Sequence, residues 1–375
     1  MIYKLFKKMA SVILSIIVIS IIIGLTWYQT SPEFGGEISK SKLKEYEKID
    51  HFKAGVFVNN TPTSMDMPAG KFISIMIDFI KGNPKGKPAY DISVSKIDST
   101  KIANNKTVNQ LTWFGHSAFL VELDKHKILI DPMLGNVPAP HPLLGSARYS
   151  KELPISIEKL PFIDAVIISH DHYDHLDYGS IQKLKAKVGH FYVPLGVDAH
   201  LIEWGIDSSK ITALDWWETA ELNDISFIFT PSRHFSGRGI SNRFTTLWGS
   251  WIIKGKNDNI FFSGDGGYGP HFKEIGDKYG PFDFSMLECG QYSKDWADIH
   301  MMPEESAQAA KDLNTKVMMP IHWGAFTLAL HDWTEPVERV IKAAEKLKIP
   351  ISTPEIGKTI EWKKGAIVFP WWNNI

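Results

Sequence analysis

The chain has 375 residues, 44% apolar and 22% charged, which excludes a disordered or collagen-like polypeptide. Its 41 basic and 42 acidic residues leave a net charge of −1, so no general basic field exists to hold a nucleic-acid backbone. The single cysteine, Cys289, excludes an internal disulfide and any cysteine-rich zinc module, whereas 14 histidines, many of them clustered, point elsewhere.

From the N-terminus, Met9 to Tyr28 is an uncharged apolar run broken only by Ser11, Ser15, Ser20 and Thr26. As a helix of about 20 residues it spans roughly 30 Å, the hydrocarbon thickness of a bilayer. Lys4, Lys7 and Lys8 precede it, and no acidic residue comes before Glu33. This asymmetry places the N-terminus in the cytoplasm and the body on the other side. The run ends in Gly24-Leu25-Thr26-Trp27-Tyr28 without an Ala-x-Ala-like cleavage site. Residues 1–28 therefore read as a membrane anchor, with a signal peptide as the alternative, and with Trp27 and Tyr28 at the interface.

Residues 29–107 have mixed texture and read as an extended arm with helices, packed on the main domain. From Val108 onward, residues 108–375 alternate short apolar strands with helices. Thr112–Gly115, Ala118–Leu123 and Lys127–Asp131 form a predicted meander. Asp164–Ser169 is a buried strand running into His170. Asp177 then caps a helix carrying Ile181, Leu184 and Val188 at helical spacing. Further strands are predicted at Ser226–Thr230, Thr246–Ile253, Ile260–Ser263 and Val317–Ile321, and helices at Pro303–Leu313 and Glu335–Leu347. This mixture predicts two sheets with helices outside, a four-layer α/β sandwich.

The chemistry concentrates in His170-Asp171-His172-Tyr173-Asp174-His175, directly after the buried strand. Residues at i and i+2 share a side of extended backbone, so His170 and His172 can grip one cation. Asp174 and His175 open the next segment and can face a second. Three later residues follow strands in the same way: His234, Asp265 and His322. The assignment is His170, His172 and His234 to one metal, Asp174, His175 and His322 to the other, and Asp265 between them. Imidazole and carboxylate donors suit two zinc ions, with manganese or iron as alternatives. His300, ahead of Met301-Met302-Pro303, is a candidate for proton transfer. Other histidines carry ordinary readings: His126, His141, His190, His200 and His331 as surface or turn residues, and His116 as support or packing rather than a ligand.

The HxHxDH run, the lone histidine, the aspartate and the final histidine resemble the metallo-β-lactamase superfamily. Within it, Trp113-Phe114-Gly115-His116, Leu214-Asp215-Trp216-Trp217-Glu218, Leu247-Trp248-Gly249-Ser250-Trp251, Gly264-Asp265-Gly266-Gly267-Tyr268 and Ile321-His322-Trp323-Gly324 resemble the N-acylphosphatidylethanolamine-hydrolysing phospholipase D family. The resemblance spans residues 55–350. It implies an αββα metallo-β-lactamase sandwich, two zinc ions, and release of phosphatidic acid from an N-acylated phosphatidylethanolamine. Gly266 stands where the family often has threonine, which leaves Asp265 untouched.

In the mechanism this implies, a water shared by two cations ionises near neutral pH and attacks phosphorus. Asp174 and Asp265 hold the cations, and His300 or a metal-bound water protonates the leaving oxygen. Tyr178, Tyr292 and Trp323 are candidate substrate contacts, and Trp216, Trp217 and Phe326 candidate walls of an acyl groove, with plain packing the alternative for the tyrosines and the more ordinary role of the tryptophans. The expected partners are a phospholipid or other phosphodiester and a membrane, with no nucleic acid. The alternatives are a lactonase or soluble phosphodiesterase of the same fold, or a non-catalytic membrane-tethered metal-binding protein.

Overall fold

The computed structural model describes residues 2–64 and 68–375; Met1, at the head of the predicted anchor, lies outside them. Two sheets face each other. The first has seven strands, in the order Thr359–Ile360, Gln110–Trp113, Phe119–Leu123, His126–Ile130, Ile163–Ile167, Val188–Pro194 and Ile211–Leu214. Its meander half is antiparallel, and its last four strands run parallel. The second has six, in the order Met318–Ile321, Phe284–Glu288, Asn259–Phe262, Ser250–Lys254, Ile225–Thr230 and Thr219–Leu222. The predicted α/β sandwich is what forms.

Side-chain alternation builds the layers. Along His126–Ile130 and Ile163–Ile167, Ile128, Ile130, Ala165 and Ile167 point into the space between the sheets. Leu129 and Val166 point outward, under helix residues Ile181, Leu184, Val197 and Leu201. The inter-sheet core is aromatic: Phe119, Phe227, Phe229, Trp251 and Phe262 are fully buried. Each buried phenylalanine contributes about 1.5–3 kcal/mol relative to exposure. Helices His271–Tyr279, Pro303–Asp312 and Glu335–Leu347 cover the second sheet, with Phe272 packed edge-on against Phe261.

The arm belongs to this core. Tyr46, Phe52, Phe57 and Ile92 are buried within it. Two expectations shift. The helix after Asp177 ends at Leu184, and Val188 opens the strand Val188–Pro194 instead. The lysine-rich turn Lys185–Lys187 separates them, and the Phe-Tyr-Val run pairs with Ile163–Ile167. The strand predicted from Thr246 begins only at Ser250. Gly249 passes so close to Thr230 that an added Cβ would lie 2.4 Å from its carbonyl oxygen, so the chain bends there before it pairs.

One helix among the described residues, Tyr3–Thr30, is long and apolar enough to cross a membrane, and none of its apolar stretch is buried by the rest of the chain. It fits a membrane anchor or a signal sequence. Its C-terminal end meets the body: Trp27 packs edge-on against Phe34 and His141, and the Tyr28 hydroxyl accepts a hydrogen bond from the Ile240 amide.

Candidate metal centre

The strand Ile163–Ile167 delivers His170 to the end of the sandwich where the two sheets meet. The Trp251 indole donates to the Ile168 carbonyl and pins the strand end. The chain then turns back on itself, with the His175 and Leu176 amides donating to the His172 carbonyl. Asp177 accepts from the Ser180 amide at 2.7 Å and starts the helix Tyr178–Leu184. This tight turn projects four donors into one space.

The structure brings all seven predicted donors together. His172 Nδ1 lies 2.9 Å from His170 Nε2 and 3.3 Å from His234 Nε2. Asp174, His175 and His322 form a second set, joined by His116, whose Nε2 is 2.9 Å from Asp174 Oδ2. Asp265 stands between the sets. Its Oδ2 is 3.8 Å from His170 Nε2 and 3.1 Å from His175 Nε2, and its Oδ1 is 3.1 Å from His322 Nδ1. Asp265 reaches this position because Gly264 takes a positive φ of 57°, and a Cβ there would lie 2.7 Å from the Gly249 carbonyl oxygen. His322 itself holds a positive φ of 67°, a strained backbone at the same site.

The donor set fits cations. Partners behind the histidines fix their tautomers. The Ser169 hydroxyl donates to Asp131 Oδ2, so the His170 Nδ1 proton, 2.9 Å from that hydroxyl, is the donor between them. His175 Nδ1 donates to Asp131 at 2.7 Å, and His234 Nδ1 to the Ile299 carbonyl at 2.9 Å. Each ring therefore turns an Nε2 lone pair toward the centre. Burial holds His170, His234 and His322 well below the ordinary imidazole range, in the neutral form that ligates metal. Burial pushes the Asp265 carboxyl up to about 7, against the pull of His175. For His175, burial acts downward, but Asp265, Asp174 and Asp131 outweigh it and hold the ring well above its usual value. A negative field of this kind favours a cation. His175 Nε2 and Asp265 Oδ1 are moreover buried with no well-aligned hydrogen bond, each facing only other members of the donor set, as metal-facing atoms would be.

A cavity of about 330 Å³ opens above the donors. His172, Asp174, Asp265, His300 and His322 line its floor, and Phe235, Trp296, Ile299 and Leu328 its apolar wall. Arg243 also lines it, with its guanidinium 4.7 Å from the centre of the Phe235 ring. His300 Nδ1 donates to Glu288 Oε2 at 3.0 Å, and Glu288 Oε1 accepts from the Met301 amide at 2.7 Å.

The structure does not bring the three candidate substrate contacts to this cavity. Tyr178 packs edge-on against Trp204 in the outer helical layer. The Tyr292 hydroxyl donates to Glu335 at 2.8 Å, and its ring stacks on His331. Trp323 is buried among Trp113, Trp371 and Trp372. Phe326 and Trp216 are likewise buried, and Trp217 stacks on Tyr279. Tryptophan-rich motifs here build the core under the site, because a large apolar ring gains more from full burial than from a wet groove. His200 is a further correction: it is only 2% exposed, accepts from the Gly36 amide and faces Asp171.

Sequence reasoning missed several supports. Asp131 carries His175 and Ser169. Glu288 carries His300. Asn59, in the arm, accepts from the His234 amide and donates to its carbonyl. Asp171 accepts from Gly237 and Thr246 and so ties the histidine turn to the neighbouring loop. Only Asp131 and Glu288 offered a signal, as acidic residues at the ends of apolar runs.

Known proteins agree with this architecture. A family model described as a beta-lactamase superfamily domain matches residues 126–323. An uncharacterized protein of Mycobacterium tuberculosis is 37% identical over 336 residues, 87% of this chain and 88% of that protein. A Caenorhabditis elegans protein, N-acyl-phosphatidylethanolamine-hydrolyzing phospholipase D 1, is 31% identical over 277 residues, 67% of this chain and 77% of that one. Among solved structures, a metallo hydrolase from the archaeon Ignicoccus hospitalis superposes with a TM-score of 0.51 at 25% identity, over 68% of this chain and 98% of that chain. Sequence, fold and donor geometry thus converge: the chain belongs to the beta-lactamase superfamily and is a metal-dependent hydrolase of that fold.

Proposed function

We propose that this hydrolase is a phosphodiesterase of the phospholipase D type, cleaving N-acylated phosphatidylethanolamine to phosphatidic acid and an N-acylethanolamine. The observation that carries the reading is the cavity itself: a two-set cation centre at the floor, a guanidinium at the side and an apolar wall. A phosphate between fatty chains presents that combination of charge and grease. The likeness to the nematode enzyme supports it.

Two zinc ions held by His170, His172 and His234, and by Asp174, His175 and His322, with Asp265 shared, would ionise a water and neutralise phosphate charge. Arg243 orients the phosphate. Phe235, Trp296 and Leu328 exclude bulk water from it. Water oxygen bonds to phosphorus as the bond from phosphorus to the ethanolamine oxygen breaks, and the proton that the water gives up passes to His300 Nε2 and from there to the departing oxygen. Glu288 holds the His300 ring so that its other nitrogen faces the cavity. The Tyr3–Thr30 helix anchors the catalytic body, 108–375 with its arm 29–107, on the extracytoplasmic side of a membrane.

The test uses the full chain, loaded with zinc, in vesicles of phosphatidylcholine, phosphatidylethanolamine and its N-acylated form. Chelator-sensitive phosphatidic acid is the expected product by mass spectrometry. Metal-loaded protein that leaves all three lipids intact while turning over a soluble lactone or phosphodiester overturns the lipid reading. For His300→Ala, we expect kcat to fall by about 10²–10⁴-fold with metal content unchanged. Loss of metal from this variant would move His300 from proton transfer to the ligand set.

A further inference from the structure

The helix Ala69–Lys81 is built inside out. Phe72, Ile73, Met76, Ile77, Phe79 and Ile80 are all exposed, Ile80 to 81%, whereas only Ile75 is buried against the body. At helical spacing these six residues share one broad face, with Lys71, Ser74, Asp78 and Lys81 on the other. A helix resting on a soluble core shows the reverse arrangement. An exposed apolar face of this extent marks a contact with something apolar.

Its position identifies the contact. Lys71 pairs at 2.9 Å with Asp295, which lines the cavity above the metal donors. Beyond the helix, Asn83 donates to the Leu330 carbonyl and to Asp332, close in sequence to the cavity residue Leu328. The helix therefore sits on the cavity rim. Across the rim, Arg243 lines the cavity, and three residues before it Ile240 is 87% exposed and hydrogen-bonded to Tyr28 at the foot of the Tyr3–Thr30 helix. Leu143, 86% exposed, lies two residues from His141, which packs on Trp27. Anchor foot, cavity mouth and apolar helix form one continuous band.

We infer that this band is a lipid-docking face, on which the Ala69–Lys81 helix lies in the bilayer interface and sets the cavity mouth against the lipid surface. The inference rests on the reading of Tyr3–Thr30 as an anchor, which brings the same face to the membrane plane. Exposed Lys85 and Lys87, just beyond the helix, meet anionic headgroups, as expected for an interfacial helix. Lipid enters the site by lateral movement from the interface, without leaving the bilayer for water.

The experiment is depth-dependent fluorescence quenching on the full chain in phosphatidylethanolamine–phosphatidylglycerol vesicles. The natural Cys289 is buried, so a thiol probe labels an introduced cysteine selectively. Ile77→Cys carries the probe on the apolar face. Asn257→Cys carries it on an exposed turn at the opposite end of the strand Asn259–Phe262 from Asp265. The expected result is a blue-shifted emission at position 77 that is lost when brominated phosphatidylcholine is included, with position 257 unchanged. Emission at 77 that brominated lipid leaves intact overturns the proposal, whether the probe remains in water or is shielded by a second copy of the chain. Quenching needs no turnover. A docked but lipid-inert protein would fail the phospholipase reading alone, and an unquenched protein that still forms phosphatidic acid would fail the docking face alone.

Discussion

Asp265→Ala removes about 10³-fold or more of hydrolytic turnover and lowers bound metal below two ions per chain. The expectation follows from geometry. One carboxylate reaches both donor sets, with Oδ2 at 3.1 Å from His175 and 3.8 Å from His170, and Oδ1 at 3.1 Å from His322. No other carboxylate among the described residues touches both sets in this way. Its removal takes away the one bridge and leaves His175 Nε2 with Asp174, 3.5 Å away, as its remaining carboxylate neighbour. Asp265→Asn separates charge from shape: it fills the space, and it should lose metal nearly as completely because an amide is a far weaker ligand. The measurements are metal content by elemental analysis and kcat on the same preparation, with far-ultraviolet circular dichroism as the folding control. A folded Asp265→Ala protein holding two metals at full rate would remove Asp265 from the bridging role.

Asp131→Ala acts one step further out and should be the most destabilising change near the site. Asp131 is completely buried and accepts three hydrogen bonds, from the Ser169 amide at 2.7 Å, the Ser169 hydroxyl at 2.5 Å and His175 Nδ1 at 2.7 Å. Truncation strands all three donors and removes the charge opposite His175. Breaking a buried, hydrogen-bonded ion pair from one side costs about 3–5 kcal/mol. Metal affinity falls as well, by about 10–100-fold, because His175 loses the group that orients its ring. Denaturant unfolding of the metal-free protein reads the first effect, and competition with a zinc indicator the second. Asp131→Asn keeps the volume but must turn a donor toward either Ser169 or His175, so it recovers part of the stability and little of the affinity. Unfolding midpoints within error of the parent for Asp131→Ala would show that the turn is held by other contacts, with Asp171 and Arg238 the first to test.

How legible the protein is from its residues depends on how far apart the cooperating groups lie. The donors of the HxHxDH turn are neighbours in sequence, and extended backbone alone puts His170 and His172 on one side. The later donors were visible because each follows a short apolar strand, and strand ends are where a sandwich gathers its loops. Apart from Asp131 and Glu288, at the ends of apolar runs, the supports were not visible. Asn59 reaches His234 across 175 positions, a pairing that only the packing of the arm creates. The same holds for Tyr178. It begins a helix two residues beyond the donor turn's last contact, yet its ring turns to Trp204 because the helix lays its apolar face onto the outer side of the first sheet, away from the cavity.

The sequence by itself determined the α/β sandwich, the seven donors and the apolar N-terminal helix, since each is written in local periodicity or in residue chemistry. Only the tertiary structure decided which groups hold the donors in place, that the tryptophan motifs are core rather than groove, and that an apolar helix stands outward on the cavity rim. Those outcomes depend on which surfaces remain uncovered after the sheets close. Strand pairing and packing between distant segments settle that, and no short window of sequence contains both sides of such a contact.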